Sequence, residues 1–248
     1  MTTEILLNST QANMLKRLRQ LRLYGFADCL ENQFVNQELF FTAGFEERLN
    51  QCIDAQENYA QQRRFNNLVK AARLKSALEL SDLSTTPSPG ITASQLRDLS
   101  DSGWLNPCKN IVICGLCGTG KTALACALGI NLCKQGRSVL YYRTADLMDD
   151  LANKSYDAKT RLISKLSKVN VLILDDFGIT NFNQDGVRSL YEICDNRYKI
   201  LPIIICSQLL PSAFVSALGG DATAEGITDR LVNPSIRITL EGESRRAS

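Results

Sequence analysis

The sequence predicts an α/β fold in three layers, with a parallel five-stranded sheet between two layers of helices. Beyond residue 108, short apolar runs alternate with helical stretches, and this alternation is typical of parallel strand–helix units. Several runs are apolar at consecutive positions, which indicates strands buried on both faces. The first 83 residues contain no strand-like run of β-branched residues. A small, all-helical domain is therefore expected to precede the α/β part.

Two segments of the N-terminal part have helical patterns. In the first, Met14, Leu18 and Leu21 recur at helical spacing, with basic residues between them. The second is expected to begin at Phe45 and to continue to about Leu80.

A segment rich in Ser, Thr, Pro and Gly at residues 84–90 breaks the helical pattern, and such composition is typical of turns and linkers. We therefore expect three parts: a helical N-terminal domain at 1–83, a linker and lead-in segment at 84–107, and the α/β domain at 108–248. The strands expected in the last part are 110–114, 138–142, 169–174, 203–206 and 236–240.

The composition excludes several classes of chemistry. The chain has 248 residues and no histidine, so Ser-His-Asp and Cys-His catalysis and histidine-containing metal sites are excluded. The nine cysteines lie mostly in apolar segments, which favours buried free thiols over disulfides. No apolar run approaches the ~18 residues that a membrane span needs, and the N-terminus lacks the pattern of a secretory signal. A cytoplasmic protein without a membrane partner is expected.

The phosphate-binding pattern G-x-x-x-x-G-K-[ST] begins at Gly115 and ends at Thr122, between an apolar run and an alanine-rich helix. Glycines allow backbone N–H groups to surround phosphates, and the N-terminus of the helix adds partial positive charge. Lys121 is expected to reach the β- and γ-phosphates of ATP, and the Thr122 hydroxyl to bind Mg²⁺. The nucleotide-binding candidates are Gly115, Leu116, Cys117, Gly118, Thr119, Gly120, Lys121, Thr122 and Ala123.

Two adjacent acids, Asp175 and Asp176, follow an apolar run that ends at Leu174. This is the Walker B arrangement. Asp175 is expected to hold Mg²⁺ through water, and Asp176 occupies the position of the base that polarises the attacking water. Many related ATPases have a glutamate there. Because the aspartate side chain is one methylene shorter, slow turnover is expected.

Polar residues near the ends of later elements are further candidates. Ser207 and Gln208 follow the run at 203–206 and could contact the γ-phosphate or the attacking water, or could simply end a strand. A guanidinium is a planar, permanently charged phosphate ligand. Arg230 is a candidate for contact with the nucleotide of a neighbouring subunit, and Arg246 is a candidate for contact with the nucleotide of its own subunit. On the residues alone, arginines in such positions are more often solvated surface charges.

Basic residues with no acids between them suggest a DNA surface. Binding to duplex DNA without sequence preference is mainly phosphate neutralisation with counterion release. A solvated helix face is the alternative, and the net charge of +2 does not decide between them. The candidates are Lys16 and Arg17 in the first helical segment and Arg63, Arg64, Lys70, Arg73 and Lys75 in the second.

Together, these motifs resemble those of the AAA+ ATPases of the helicase-loader clade and, more closely, those of the IstB-like transposition helpers. The resemblance extends over nearly the whole chain from about residue 14. It is carried by residues 115–122, 125–129, 135–141, 174–178, 207–209 and 228–232 and by the Gly-Glu-Ser-x-Arg sequence that ends at Arg246.

The resemblance implies an AAA+ fold and assigns Arg230 as an arginine finger that acts in trans, Arg246 as the second sensor and the Ser207-Gln208 pair as the first. It also implies ATP hydrolysis and ATP-dependent self-association. Duplex target DNA is expected to be bound and bent with little sequence preference, and an IstA-like partner transposase to be recruited and stimulated.

Two other functions stay open. A DnaC-like helicase loader would prefer single-stranded DNA and bind a replicative helicase. A nucleotide-gated DNA scaffold would use ATP as a structural ligand with negligible hydrolysis, and the short side chain of Asp176 is the argument for it.

Overall fold

A computed structural model describes residues 7–85, 90–179 and 183–242, without the side chains of residues 84 and 85. Within these ranges the helices are α1 (Ser9–Gln20), α2 (Tyr24–Val35), α3 (Phe45–Ala72), α4 (Leu80–Thr85), α5 (Ala93–Ser100), α6 (Lys121–Lys134), α7 (Thr144–Asn153), α8 (Tyr156–Lys168), α9 (Gln184–Arg197), α10 (Phe214–Ala217) and α11 (Ala222–Val232). The strands are β1 (Asn110–Gly115), β2 (Val139–Arg143), β3 (Val171–Phe177), β4 (Ile203–Ser207) and β5 (Ser235–Leu240). None of these helices is long and apolar enough to cross a membrane.

The contacts divide the chain into two compact units between Asn67 and Leu68. The first unit contains α1, α2 and most of α3. The α1 helix begins with a capping box, in which the side chains of Asn8 and Gln11 each accept a hydrogen bond from the other's backbone N–H. Gly25 allows α2 to pack closely on α3, because a Cβ at that position would lie 2.4 Å from the carbonyl oxygen of Ala55. The predicted helical N-terminal region is confirmed.

The second predicted helical segment ends earlier than expected. The α3 helix ends at Ala72 rather than near Leu80. The next residue, Arg73, adopts a left-handed conformation with φ 56°, which is common just after the end of a helix. The chain beyond it packs in the second unit: Lys134 forms an ion pair with Glu79. The division given by the contacts therefore lies inside α3, before the boundary that the composition suggests at residue 84.

The second unit is built on one parallel sheet with strand order β2-β3-β4-β1-β5. On one face, Leu172 and Leu174 of β3 belong to a core with residues of α7, α8, α9 and α11. On the other face, Ile173 lies against α6, since a Cβ at Gly129 would be 3.3 Å from its Cδ1. Helices cover both faces, so the predicted three-layer α/β fold with five parallel strands is confirmed.

The third strand extends further than predicted. β3 continues to Phe177, whereas the apolar run ends at Leu174. Asp175 and Asp176 therefore lie within the strand, near its carboxyl end. β3 also begins two residues later than predicted, at Val171, and the bounds of the other four strands lie within one residue of the predicted ones.

All nine cysteines are free thiols, as predicted. Burial raises the pKa of Cys133 to about 11 and that of Cys194 to about 12. Cys117, in the loop after β1, is the one exposed cysteine.

Candidate functional site

The loop between β1 and α6 has the geometry of a phosphate-binding loop. Gly115, Gly118 and Gly120 have φ angles of 154°, 83° and 96°, which residues with a Cβ adopt only with strain. A Cβ at Gly115 would also lie 2.4 Å from the carbonyl oxygen of Leu240. The loop leads directly into α6, whose first residue is Lys121. Backbone N–H groups and a helix N-terminus therefore meet where the sequence predicts phosphate.

The Lys121 side chain lies within this loop. Its ammonium donates hydrogen bonds to the carbonyl oxygens of Gly115, at 2.8 Å, and Leu116, at 2.7 Å. The residue is only 7% exposed. A buried ammonium at this place is a strong donor for a phosphate oxygen.

Asp175 is at the centre of a hydrogen-bond cluster. Its Oδ2 accepts from the Thr122 hydroxyl at 2.8 Å and from the Tyr141 hydroxyl at 2.6 Å. Its Oδ1 accepts from the backbone N–H of Asp176 at 3.0 Å. Burial, together with the bond to Asp175, raises the pKa of Tyr141 far above its ordinary value. The cluster fixes the metal-binding candidate Asp175 beside the other one, Thr122.

The residues of this cluster fit Mg²⁺. Hydroxyl and carboxylate oxygens are the ligands that Mg²⁺ prefers, and the ion usually takes one or two protein carboxylates together with waters and phosphate oxygens. Across the described ranges, no group of three or more acidic or cysteine side chains could form an all-protein metal cage. Thr122 and Asp175 therefore suit an ion that binds together with a nucleotide.

Asp176 lies at the edge of the same site. Its backbone has a φ of 55°, and its Oδ2 accepts from Nε of Arg143 at 3.0 Å. Arg143 ends β2 and is opposite Asp175 in the strand register. Sequence reasoning missed both Arg143 and Tyr141. A signal was available, because the carboxyl ends of adjacent parallel strands meet at one edge of the sheet.

The structure separates the two candidates for the first sensor. β4 lies between β1 and β3 in the sheet. Ser207 is fully buried, and its hydroxyl donates to the carbonyl oxygen of Phe177 at 2.7 Å. It also accepts from the backbone N–H of Leu209 at 3.0 Å. Gln208, in contrast, lines the cavity beside the phosphate loop. Ser207 therefore holds strand ends together, and Gln208 is the sensor candidate that a nucleotide could contact.

A cavity of about 380 Å³ lies beside the phosphate loop and includes Asp176 and Gln208 in its wall. One part of its wall comes from the phosphate loop and the strand ends, and another from the segment after α3. The lining residues are Lys75, Ser76, Leu78, Asp82, Leu83, Cys117, Gly118, Gly120, Lys121, Thr122, Ala123, Asp176 and Gln208.

This cavity changes the interpretation of two predicted DNA contacts. Lys75 lines it, and its Nζ lies 5.9 Å from the centre of the Tyr141 ring. Arg73 lines a neighbouring cavity that also includes Arg143. Because α3 ends at Ala72, neither residue lies on that helix. The structure thus places Lys75 at the candidate nucleotide site and not within a helical basic face.

The remaining DNA candidates are surface residues. Lys16 and Arg17 are exposed on α1, and Arg63, Arg64 and Lys70 are exposed on α3.

Arg230 does not line the cavity of its own chain. Its guanidinium donates to Asp195 Oδ1 at 2.8 and 3.0 Å, to the Gly226 carbonyl at 3.0 Å and to the Tyr191 hydroxyl at 3.0 Å. It also lies 4.6 Å from the centre of the Tyr191 ring. Arg246 lies outside the described residues.

Comparisons with known proteins find a matching family and similar sequences. The family model for IstB-like ATP binding proteins matches residues 16–248. An insertion-sequence ATP-binding protein of Sinorhizobium fredii, y4pL, is 33% identical over 233 residues, which cover 94% of this chain and 95% of the relative. The ATP-binding protein of insertion sequence IS1162 from Pseudomonas fluorescens is 35% identical and covers 79% of this chain and 85% of the relative.

Solved structures support the fold. The crystal structure of DnaI matches with a TM-score of 0.57 and 22% identity, over 73% of this chain and 93% of that chain. The replication initiator DnaA bound to AMPPCP and single-stranded DNA matches with a TM-score of 0.57 and 19% identity, over 69% of this chain and 52% of that one. At such identities these similarities establish the fold alone.

Proposed function

The chain belongs to the family of IstB-like ATP-binding proteins, and from this premise we propose that it is an ATP-dependent helper of insertion-sequence transposition. It binds Mg²⁺ and ATP, self-associates on duplex target DNA, bends the DNA and recruits a partner transposase. The observation that carries the proposal is the cavity in which Lys121, Thr122, Asp176 and Gln208 meet. The relatives supply the context, because they are ATP-binding proteins of insertion sequences.

The site residues divide the work of ATP hydrolysis. Lys121 and the loop N–H groups bind the phosphates. Asp176 accepts the proton of a water whose oxygen bonds to the γ-phosphorus, while the bond from that phosphorus to the bridging oxygen breaks and ADP leaves. Gln208 orients the water or the γ-phosphate. Mg²⁺, when held by Thr122 and Asp175, supplies neutralisation of phosphate charge.

Arg230 completes the site of a neighbouring subunit in this proposal. Two observations support action in trans: the side chain is absent from the cavity of its own chain, and it is still 22% exposed. To reach a neighbour, the guanidinium has to release Asp195. The proposed role of Arg246 as second sensor rests on the family resemblance.

Arg230→Ala should leave ATP binding nearly intact and lower hydrolysis by about 1000-fold, the magnitude typical of an arginine finger. An equimolar mixture with Asp175→Ala subunits should recover part of the activity, because sites with an intact Asp175 then receive Arg230 from a neighbour. ATP turnover of the two variants, alone and mixed, tests this.

Arg188→Ala is the matched control, since Arg188 is an exposed arginine on α9. It should change neither binding nor turnover. A mixture as inactive as its components would contradict a finger in trans. Negligible turnover by the unsubstituted protein, despite ATP binding, would support the nucleotide-gated scaffold instead.

Binding to random-sequence DNA tests the DNA-binding part of the proposal. We expect large, ATP-dependent complexes on duplex DNA, much weaker complexes with ADP, and weaker binding to single strands. Charge reversal of Arg63, Arg64 and Lys70 to Glu should weaken duplex binding about equally for all sequences and reduce the slope of log affinity against log salt by roughly one per lost phosphate contact. Fluorescence anisotropy and sedimentation measure both effects.

Reversal of Lys165, an exposed lysine on α8, is the control and should leave the slope unchanged. An unchanged slope in the triple variant would place the DNA surface elsewhere. A preference for single-stranded DNA, or a need for another protein before any DNA is bound, would favour the helicase-loader alternative.

A further inference from the structure

The hydroxyl of Tyr141 contacts the carboxylate at the centre of the site, yet Tyr141 is not among the residues that the sequence analysis predicts to bind nucleotide or metal. It donates to Asp175 Oδ2 at 2.6 Å, the same oxygen to which the Thr122 hydroxyl donates at 2.8 Å. Tyr141 is 5% exposed and Asp175 is 3% exposed. A buried carboxylate with donors on both oxygens has little freedom to rotate.

Strand register holds Tyr141 in this position. β2 pairs with β3 so that Tyr141 is opposite Ile173 and Arg143 is opposite Asp175. Side chains two residues apart on a strand point to the same face, so the Tyr141 ring and the Asp175 carboxylate are diagonal neighbours on one face of the sheet. The Thr144 hydroxyl, just beyond β2, donates to the backbone carbonyl of Asp175 at 2.8 Å. The end of β2 therefore fixes both the backbone and the side chain of Asp175.

We propose that Tyr141 is a positioning residue for the Mg²⁺ carboxylate: it keeps Asp175 beside Thr122, so that both oxygen-bearing side chains are in place before the metal binds. This inference rests on the proposed function, because it takes Thr122 and Asp175 as the metal site. Donors in the outer shell of a metal site orient the ligands, and their loss typically costs 10- to 100-fold in metal affinity or activity.

The two donors on Asp175 Oδ2 have different tasks. A threonine hydroxyl has one hydrogen to donate and two lone pairs, so Thr122 can hold Asp175 with its hydrogen and offer a lone pair to the cation. The Tyr141 hydroxyl is the donor that has no metal-binding task. Without it, Asp175 Oδ2 depends on Thr122 alone, and the carboxylate can turn away before the metal arrives.

Tyr141→Phe removes this hydroxyl and keeps the buried ring. We expect the Mg²⁺ concentration at half-saturation of nucleotide binding to rise at least about tenfold. Binding of the same fluorescent ATP analogue in EDTA should change less than twofold. Mg²⁺ titrations of nucleotide fluorescence measure both values. The electron paramagnetic resonance of bound Mn²⁺ provides a second signal that is independent of turnover.

Tyr142→Phe is the matched control. Tyr142 is the next residue of the same strand, and its hydroxyl contacts Asp150 at 3.4 Å rather than Asp175. This variant should titrate like the unsubstituted protein. If the Tyr141 hydroxyl had a purely structural role, Tyr141→Phe would have lower thermal stability, and its nucleotide binding would weaken by the same factor with Mg²⁺ and without it.

Two results would overturn the inference: an unchanged Mg²⁺ midpoint in Tyr141→Phe, or an equal loss of binding in EDTA. Failure of the proposed function looks different, because then the unsubstituted protein itself shows no Mg²⁺-dependent nucleotide binding. If Tyr141→Phe does not fold, Thr144→Val perturbs the same residue through a different contact, because it removes the hydrogen bond to the backbone carbonyl of Asp175. The inference then requires the Mg²⁺ midpoint of Thr144→Val to rise while its binding in EDTA stays unchanged.

Discussion

Lys121→Ala should lower the affinity for ATP by about 100-fold or more and abolish ATP-dependent assembly on DNA. The reason is electrostatic. The ammonium of Lys121 is buried within the phosphate loop. Removal of one partner from a buried, charge-assisted hydrogen bond typically costs 2–5 kcal/mol of binding free energy, and a loss of about 100-fold in affinity falls within that range. Isothermal titration with ATP measures the loss directly. Thermal unfolding gives an independent measure, because the stabilisation that a ligand confers depends on its concentration relative to Kd.

Lys165→Ala removes an exposed lysine from α8, which does not line the cavity, and is the matched control. It should retain the ATP affinity and the ATP-induced rise in Tm. Lys121→Ala should melt close to the unsubstituted protein when no nucleotide is present, which separates loss of binding from loss of folding. Unchanged ATP affinity in Lys121→Ala would contradict the site assignment as a whole.

The phosphate loop and the acidic pair were predictable because their geometry is encoded locally. Glycines at 115, 118 and 120 are required by the backbone, and the sequence pattern records that requirement directly. The parallel sheet was also predictable, since its inner strands are buried on both faces and are therefore continuously apolar. In the Ser207-Gln208 pair, Ser207 is the last residue of β4 and is buried, whereas Gln208 lies just beyond the strand end and reaches the cavity.

The second wall of the cavity depends on tertiary structure and could not be predicted. Helical periodicity continues past Ala72, and nothing local indicates that Arg73 leaves the helix. The segment beyond it is held by contacts with α6, among them the Lys134–Glu79 ion pair, whose partners are distant in sequence. The placement of Lys75 at the nucleotide cavity follows from those contacts.

Arg197 is a second residue whose importance only the structure reveals, and its replacement should have the largest effect on stability. It is 1% exposed, and its guanidinium donates to the carbonyl oxygens of Leu166, Val169, Asn170 and Pro202. Burial lowers its pKa to about 10, so it is still charged at neutral pH. These bonds join the end of α8 and the starts of β3 and β4 to the last residue of α9.

Arg197→Met should destabilise the protein by about 3–5 kcal/mol, because buried carbonyl oxygens lose their donors while the apolar chain length is kept. The stability of Arg197→Lys should lie between that of Arg197→Met and that of the unsubstituted protein, since an ammonium keeps the charge but has fewer, less widely spaced donors. Denaturant unfolding followed by circular dichroism measures the differences. Arg188→Met, on the same helix but exposed, should stay within about 0.5 kcal/mol of the unsubstituted protein. Equal stability of Arg197→Met and Arg188→Met would show that the carbonyl oxygens find other donors, and that the fold does not depend on this buried charge.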